Sequence, residues 1–178
     1  MSGRRLEADV CVVGAGAGGA VVAAELAEGG ARVVLLEQGP AHDPDGFTAR
    51  PPEMLARLYR DGGQTVTVGT PPIVVPLGRG LGGTTVVNSG TCFRTPPAVL
   101  ARWQREHGLA AWSADALAPA FARVERALSV APVAPAVAGR NAEVARRGAA
   151  ALGWSHGYVR RNARGCVGSG VCTFGCPT

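Results

Sequence analysis

The sequence predicts an α/β fold class, and three observations support it. Residues 9–13 and 32–37 are short apolar runs of the kind that form parallel strands buried on both faces. A glycine-rich turn and the helix-forming residues 20–28 lie between them, so strand, turn, helix and strand follow one another directly. From residue 97 onward the sequence is mainly helical in character and rich in alanine. We therefore expect a strand–helix–strand unit, incomplete as a sheet, followed by a helical segment.

The composition is that of a globular chain and excludes several function classes. Of its 178 residues, 47% are hydrophobic and 17% are charged, which is too apolar a composition for disorder. All 18 basic residues are arginine, so the chain has neither a Schiff-base lysine nor a P-loop lysine. Ten arginines oppose four acids over residues 100–164, but they are scattered through alanine-rich sequence of helical character. We interpret this charge as a solvated helix surface and expect no nucleic-acid partner.

The N-terminus resembles an export signal only at first sight. Arg4 and Arg5 precede an apolar stretch, but Glu7 and Asp9 interrupt the place where the apolar region of a signal begins. The uncharged run of residues 10–24 is too short and too rich in glycine to span a bilayer. The sequence therefore predicts a cytoplasmic protein without a membrane span.

Three glycines of the first turn, Gly14, Gly16 and Gly19, have the spacing of a dinucleotide-binding loop. Gly14 permits the tight turn, Gly16 lets a pyrophosphate approach the backbone, and Gly19 lets the helix pack near the sheet. The helix N-terminus offers N–H groups and a positive dipole end to phosphates. Glu37 ends the second strand, where a carboxylate accepts hydrogen bonds from ribose hydroxyls and disfavours NADP. The pattern favours a dinucleotide site over a plain packing turn, and it leaves NAD and FAD open.

The middle of the chain departs from an ordinary NAD-binding domain. Residues 51–60 read as a short helix that begins with proline, and residues 64–68 and 73–77 as short strands. A glycine-dense segment, residues 78–90, then stands where another helical crossover would be expected. This density indicates backbone pressed against a flat or anionic group, or unusual backbone angles. Its polar side chains either hydrogen-bond to that group or serve as ordinary turn residues. They are Thr84, Thr85 and Asn88.

The glycine-dense segment carries a family resemblance. Residues 78–88 read GRGLGGTTVVN. With the opening glycines and Glu37, they resemble the N-terminal part of the glucose–methanol–choline (GMC) flavoprotein oxidoreductases, whose first signature reads G-R-x-L-G-G-[ST]-[ST]-x-x-N. The resemblance covers essentially the whole chain. It implies a Rossmann-like FAD-binding domain of the GMC type, incomplete here, with a helical insertion that borders the substrate domain.

The resemblance implies FAD as the cofactor and assigns its contacts residue by residue. Gly14, Gly16 and Gly19 would hold the pyrophosphate. Glu37 would hold the adenosine ribose. The glycine-dense segment would follow the cofactor and end beside the isoalloxazine ring. Its implied contact residues are Gly82, Gly83, Thr84, Asn88, Ser89, Gly90 and Thr91. Some relatives attach FAD covalently through a histidine immediately before this asparagine. Val87 occupies that position, so we expect FAD to be dissociable.

The implied function is that of an oxidoreductase acting on the CH–OH group of a small-molecule alcohol, with hydride passing to the flavin. In the family the catalytic base is a histidine near the C-terminus of a much longer chain, and none of His42, His107 and His156 matches it. We therefore expect a fragment that binds the cofactor, contains no catalytic residue and is inactive on its own. The electron acceptor stays open. The alternatives are a stand-alone FAD- or nucleotide-binding module and an NAD-dependent dehydrogenase.

The second half of the chain shows local helix signals. Gly108 is placed to end one helix and Ser113 to cap the next. The three predicted helices cover residues 97–107, 114–128 and about 138–152. We expect residues 1–95 to form the N-terminal part of the FAD-binding domain. Residues 96–178 are then a helical segment and a cysteine-rich loop beside the substrate domain.

The cysteine-rich loop has the spacing C-x5-C-x3-C, formed by Cys166, Cys172 and Cys176. This spacing does not match a zinc site, and a fourth ligand is missing. Three thiolates could hold an iron–sulfur cluster, but structural thiols in a glycine-rich turn are the simpler interpretation, and we predict no metal site. Cys11 and Cys92 read as small core residues.

Overall fold

The computed structural model of the chain describes residues 5–176. None of the helices in this range has the length and hydropathy needed to cross a bilayer. The elements are β1 (Val10–Val13), α1 (Ala17–Glu28), β2 (Val33–Leu36), α2 (Pro51–Leu58), α3 (Pro97–His107), α4 (Ala114–Ala127), β3 (Ala131–Pro132), α5 (Pro135–Ala151) and β4 (Arg160–Arg161). Short 3-10 turns lie at Pro44–Gly46, Arg60–Gly63, Gly83–Val86 and Cys172–Phe174.

The chain divides into two compact units. The first unit holds the chain up to Ser89 together with the segment that begins at Gly170, and the second unit is Gly90–Ser169. The division falls earlier than the predicted boundary at residue 95. The chain also returns to the first unit near its end, so the cysteine-rich loop does not belong wholly to the second part as the sequence suggested.

The first unit begins with the predicted strand–helix–strand unit. β1 and β2 pair in parallel, with Val10 opposite Val33 and Val13 opposite Leu36, and α1 connects them. α1 starts at Ala17, three residues before the predicted start of the helix, so Gly19 lies inside its first turn. The parallel pair and its crossover helix are the opening of a Rossmann-like sheet.

One face of the β1–β2 pair is left uncovered by the described residues. The side chains of β1 alternate between partly buried and exposed, and Val13 is 82% exposed. Successive side chains of a strand point to opposite faces, and Val12 faces α1. Cys11 therefore lies on the uncovered face and is exposed, so the prediction that it is a core residue was wrong.

The core of the first unit lies around α2, away from the strand pair. Met54 and Leu58 are at most 1% exposed and pack with Tyr59 and Val87. The Tyr59 hydroxyl donates a hydrogen bond to the Thr173 carbonyl at 2.7 Å. This bond ties the returning segment to the end of α2, and Phe174 packs on the same cluster.

The two strands predicted at residues 64–68 and 73–77 do not form a ladder. Val66 and Val74 make one isolated antiparallel bridge. Two hydrogen bonds flank it, from Thr67 N to the Ile73 carbonyl and from Val75 N to the Thr65 carbonyl. The run from residue 71 to 76 contains three prolines, which have no N–H to donate, so the ladder cannot extend.

The second unit is mainly helical, as predicted. α3 ends at Gly108, which has a left-handed backbone (φ +66°), and the Ser113 hydroxyl accepts a hydrogen bond from Ala116 N at the start of α4. α5 starts at Pro135, earlier than predicted, and Gly139 (φ +81°) interrupts it near the start. Arg94 makes a two-pronged ion pair with Glu125 on α4, at 2.8 and 2.9 Å.

Candidate functional site

The loop between β1 and α1 has the geometry that its three glycines predict. Gly14 takes a left-handed backbone (φ +93°), and its N–H donates to the Leu36 carbonyl at 2.7 Å. A Cβ atom on Gly19 would overlap the carbonyl oxygen of Gly14, so α1 packs directly against the loop. No atom lies within 4 Å of the place where Gly16 would carry a Cβ. The loop therefore leaves open space beside Gly16, where a ligand can reach the backbone.

The N-terminus of α1 is suited to an anion. Gly16 is its N-cap in an extended conformation, and among the described residues no side chain caps it. The N–H groups of the first helical turn have no partner within the helix itself, and the positive end of the helix dipole lies at the same place. The Gly16 space and the α1 terminus together fit a phosphate group.

Glu37 follows β2, and its carboxylate accepts hydrogen bonds from the loop and from the residues after β2. One carboxylate oxygen accepts a hydrogen bond from Ala15 N at 2.8 Å, and the other accepts one from Gly39 N at 2.7 Å. These two bonds, with that from Ala15 the larger cause, hold the pKa of Glu37 below its ordinary value, and the positive charge of Arg60 adds to the effect. The backbone of Gln38 also donates to this carboxylate. Because a carboxylate can accept about four hydrogen bonds, Glu37 keeps capacity for about one hydroxyl donor.

The pKa of Glu37 predicts a pH dependence of stability. Its folded-state pKa lies below that of a glutamate in the unfolded chain. Its contribution is therefore fully present above the unfolded value and is lost as the pH falls through the folded value. We expect wild type to have a higher urea midpoint than Glu37→Gln at neutral pH. The two midpoints should converge in acid.

Only the difference between the two proteins is informative in this measurement. The carboxylates of Asp9 and Glu125 also have lowered pKa values, because Arg32 and Arg94 donate hydrogen bonds to them. A difference between wild type and Glu37→Gln that stayed constant from neutral to acid pH would contradict the assignment.

The glycine-dense segment packs onto this loop. Gly82 N donates to the Ala15 carbonyl at 2.9 Å, and Leu81 N donates to the Pro40 carbonyl at 3.0 Å. With the two bonds of Glu37, these contacts form a closed set, which we call the loop ring. Its members are Ala15, Glu37, Gly39, Pro40, Leu81 and Gly82. Ala15 is fully buried, and the ring satisfies both its N–H and its carbonyl.

Gly83 brings the segment closest to the first loop. It has a left-handed backbone (φ +54°), and a Cβ atom built on it would lie 3.1 Å from the Cα of Gly16. Two glycines of different motifs therefore lie back to back, with no side chain between them. The structure thus brings Gly14, Gly16, Glu37, Gly82 and Gly83 into one neighbourhood.

The polar side chains of the segment hold its own turn. The Thr84 hydroxyl accepts a hydrogen bond from Gly78 N at 3.2 Å, and the Thr85 hydroxyl donates to the Gly82 carbonyl at 2.6 Å. The Asn88 side-chain amide donates to the Thr85 carbonyl. These contacts are those of turn residues, so any role toward a cofactor would be additional to them.

The end of the segment enters the second unit at Gly90 and pairs there with β4. Gly90 has a left-handed backbone (φ +73°), and its carbonyl accepts a hydrogen bond from Asn162 N at 3.0 Å. Thr91 bridges to Arg161 on β4, and Cys92 N donates to the Arg160 carbonyl at 2.9 Å. This pairing has no local signal in the sequence, because β4 is two residues long and consists of two arginines.

His42 makes one contact that the sequence did not predict. The His42 ring nitrogen Nε2 lies 2.8 Å from the Arg79 carbonyl, at the start of the glycine-dense segment.

Cys172 belongs to the first unit and Cys166 to the second. Within residues 5–176, no three metal-ligating side chains are grouped as a metal site would require.

Two family models match the sequence. Residues 55–178 match the model described as GMC oxidoreductase, and residues 12–69 match that of an NAD(P)-binding Rossmann-like domain. The first match covers well over half of the chain and includes the glycine-dense segment. The second begins inside β1 and covers α1, β2 and α2.

Individual relatives agree with these models. A GMC-type oxidoreductase of Mycobacterium tuberculosis is 46% identical over 172 residues, which are 96% of this chain and 27% of the relative. The long-chain-alcohol oxidase FAO3 of Arabidopsis thaliana is 31% identical over 97% of this chain and 23% of its own length. The crystal structure of pyridoxine 4-oxidase from Mesorbium loti matches with a TM-score of 0.50 and 28% identity, over 65% of this chain and 24% of that one. The chain thus spans about a quarter of the length of these proteins.

Proposed function

The chain belongs to the GMC oxidoreductase family, and from this premise we propose that it is the FAD-binding portion of an oxidoreductase acting on the CH–OH group of an alcohol. The long-chain-alcohol oxidase and the pyridoxine 4-oxidase described above support oxidation as the reaction class and a small-molecule alcohol as the donor. The electron acceptor is not assigned, and a cytoplasmic location remains a prediction of the sequence.

The observation that carries the proposal is the contact between the two glycine motifs. An NAD-binding strand–helix–strand unit needs only the first motif. Here the loop ring adds a second glycine-rich backbone, with Gly83 against Gly16. The two motifs together offer a longer stretch of backbone without side chains than one turn can supply. Such a stretch suits FAD, whose ribityl chain and three-ring flavin extend further from the pyrophosphate than the nicotinamide riboside of NAD.

The residues present fit FAD in three respects. The open space at Gly16 and the uncapped N-terminus of α1 would take the pyrophosphate, with Gly14 and Gly19 shaping the turn. Glu37 has acceptor capacity left for a ribose hydroxyl of the adenosine. In the proposal, Gly82, Gly83 and Thr84 line the cofactor. The residues proposed near the isoalloxazine ring are Asn88, Ser89, Gly90 and Thr91.

The bound flavin would supply the hydride acceptor for alcohol oxidation. The chain's own residues would bind and orient it and exclude water from the pyrophosphate. We assign no catalytic base among the described residues. The His42 ring is engaged with the Arg79 carbonyl. His107 lies in the last turn of α3, a position where basic side chains suit the helix dipole. We therefore propose that this chain alone is inactive toward alcohols.

A titration of the 178-residue chain with FAD and with NAD tests the proposal. We expect flavin absorbance to co-purify with the chain or FAD to bind when added, and NAD to bind weakly or not at all. Gly16→Val should fold, because space for its side chain is open and its backbone (φ −75°) is allowed, yet lose FAD because the side chain blocks the pyrophosphate. Gly148→Val on α5, also with no atom within 4 Å of the new Cβ, is the matched control.

The outcomes separate the competing functions. FAD binding that Gly16→Val abolishes supports the proposal. NAD binding without flavin, favoured by the NAD(P)-binding match at residues 12–69, would support a nicotinamide-dependent dehydrogenase. Bleaching of bound flavin by an alcohol would contradict the claim that this chain alone is inactive. Binding of neither cofactor would overturn the proposed function.

We expect the flavin to leave the protein when the holoprotein is precipitated with acid. Val87, at the position where some relatives carry the attaching histidine, is an apolar side chain that is 4% exposed and packs in the α2 core. It offers no nucleophile for a covalent bond. After centrifugation, absorbance should appear in the supernatant. Flavin that stayed with the pellet after complete denaturation would contradict this prediction.

A further inference from the structure

His42 lies in the loop that follows β2 and reaches across to the glycine-dense segment. Its Nε2 atom is 2.8 Å from the Arg79 carbonyl oxygen. A carbonyl oxygen can only accept, so Nε2 carries the hydrogen and donates it. The ring is half-buried, and its position is set by this bond and by the backbone on which it packs.

The backbone under the imidazole is that of Gly80. Gly80 is buried and has φ +147°, and a Cβ atom built on it would lie 2.6 Å from the His42 ring and 2.8 Å from the Pro40 carbonyl oxygen. The ring therefore occupies the space that the missing side chain leaves. Glycine at position 80 and histidine at position 42 fit as a pair.

The contact acts on the part of the segment that meets the first glycine loop. Arg79 and Gly80 directly precede Leu81 and Gly82, whose N–H groups close the loop ring. In both of these bonds the donor and the acceptor are backbone groups. The His42 bond, in contrast, depends on a side chain, so a substitution can remove it without touching the ring itself.

We propose that His42 is a positioning residue for the cofactor, which acts by fixing Arg79 and Gly80 so that Gly82 and Gly83 keep their approach to Ala15 and Gly16. The inference rests on the proposed function, because it concerns the same FAD site. His42 itself contacts the segment at Arg79 and Gly80, and we assign it no part in hydride transfer.

The test compares three variants of the full chain for FAD affinity, measured by quenching of flavin fluorescence. His42→Ala removes the donor, and we expect FAD to bind about 5- to 10-fold more weakly, as for the loss of one neutral hydrogen bond. His42→Gln keeps an N–H donor on a side chain of similar reach and should restore most of the affinity. His107→Ala, in the second unit, is the matched control and should bind FAD like wild type.

Amide hydrogen exchange in the absence of FAD provides the second readout. We expect Leu81 and Gly82 to exchange faster in His42→Ala, while the amides of the α2 core stay protected. Unchanged exchange and unchanged affinity in His42→Ala would overturn the proposal for His42 alone. Equal loss of affinity in His42→Ala and His42→Gln would also overturn it. A wild-type chain that bound no FAD would overturn the proposed function, and the cofactor role of His42 with it, even if exchange at Leu81 were faster in the variant.

Discussion

Gly19→Ala should destabilise the first unit by about 3 kcal/mol, at the upper end of what overpacking costs. The new Cβ would overlap the Gly14 carbonyl oxygen and lie 3.1 Å from the Gly14 carbonyl carbon. These are backbone atoms, which cannot rotate away as the end of a side chain can. α1 must then move off β1, and the Gly14 turn moves with it. We therefore also expect FAD binding to be lost.

The neighbouring residue supplies the control. Gly18 lies in the same helical turn, and no atom is within 4 Å of the place where its Cβ would be. Gly18→Ala should raise stability by roughly 0.5–1 kcal/mol, because alanine loses less backbone entropy in a helix. Both effects are measured by hydrogen exchange of the β1 and α1 amides in the two variants. Equal protection in Gly18→Ala and Gly19→Ala would refute the close packing of α1 on the loop.

Leu58→Ala should reduce the stability of the first unit by about 2–5 kcal/mol, as for other large-to-small changes in a core. Leu58 is 1% exposed and packs with Met54 and Val87 in the α2 core. Its carbonyl also accepts a hydrogen bond from Arg79 N at 2.7 Å, so a shift of the helix end displaces the start of the glycine-dense segment. Weaker FAD binding is expected to accompany the loss of stability.

Leu6→Ala makes the same chemical change at a residue that is 54% exposed, and we expect less than about 1 kcal/mol from it. Exchange of α2 amides is the appropriate measurement for both. All three tryptophans, Trp103, Trp112 and Trp154, lie in the second unit, so their fluorescence does not report on this core. A Leu58→Ala variant as protected as Leu6→Ala would contradict the placement of the core.

The sequence predicts elements well where their signals are local. The bounds of α3 follow from a proline at its start and Gly108 at its end, and the start of α4 from the Ser113 cap. The strand–helix–strand unit follows from apolar runs of strand length around a glycine turn. In each case the residues that decide the structure are neighbours along the chain, so a short window contains the information.

The candidate site could be predicted only in part, for the same physical reason. The glycine motifs and Glu37 were identifiable as candidates, but the loop ring joins backbone groups far apart in sequence that carry no side-chain signature. Three further hydrogen bonds are likewise long-range. They join Glu37 to Ala15, His42 to Arg79, and Tyr59 to Thr173. Cys11 was wrongly predicted to be buried, because the burial of a strand's second face depends on residues far away in the sequence.

The loop ring also sets an order of assembly during translation. The strand pair can form once Leu36 has been made, but the Ala15 carbonyl waits for Gly82, and the Tyr59 hydroxyl waits for Thr173. At about 5–20 residues per second, the ribosome needs several seconds for each of these intervals, far longer than a loop takes to close. The nascent chain therefore passes through a stage in which the first glycine motif has been synthesised but the second, which packs on it, has not. A cofactor that needs both motifs can be captured only after the second glycine motif has left the ribosome.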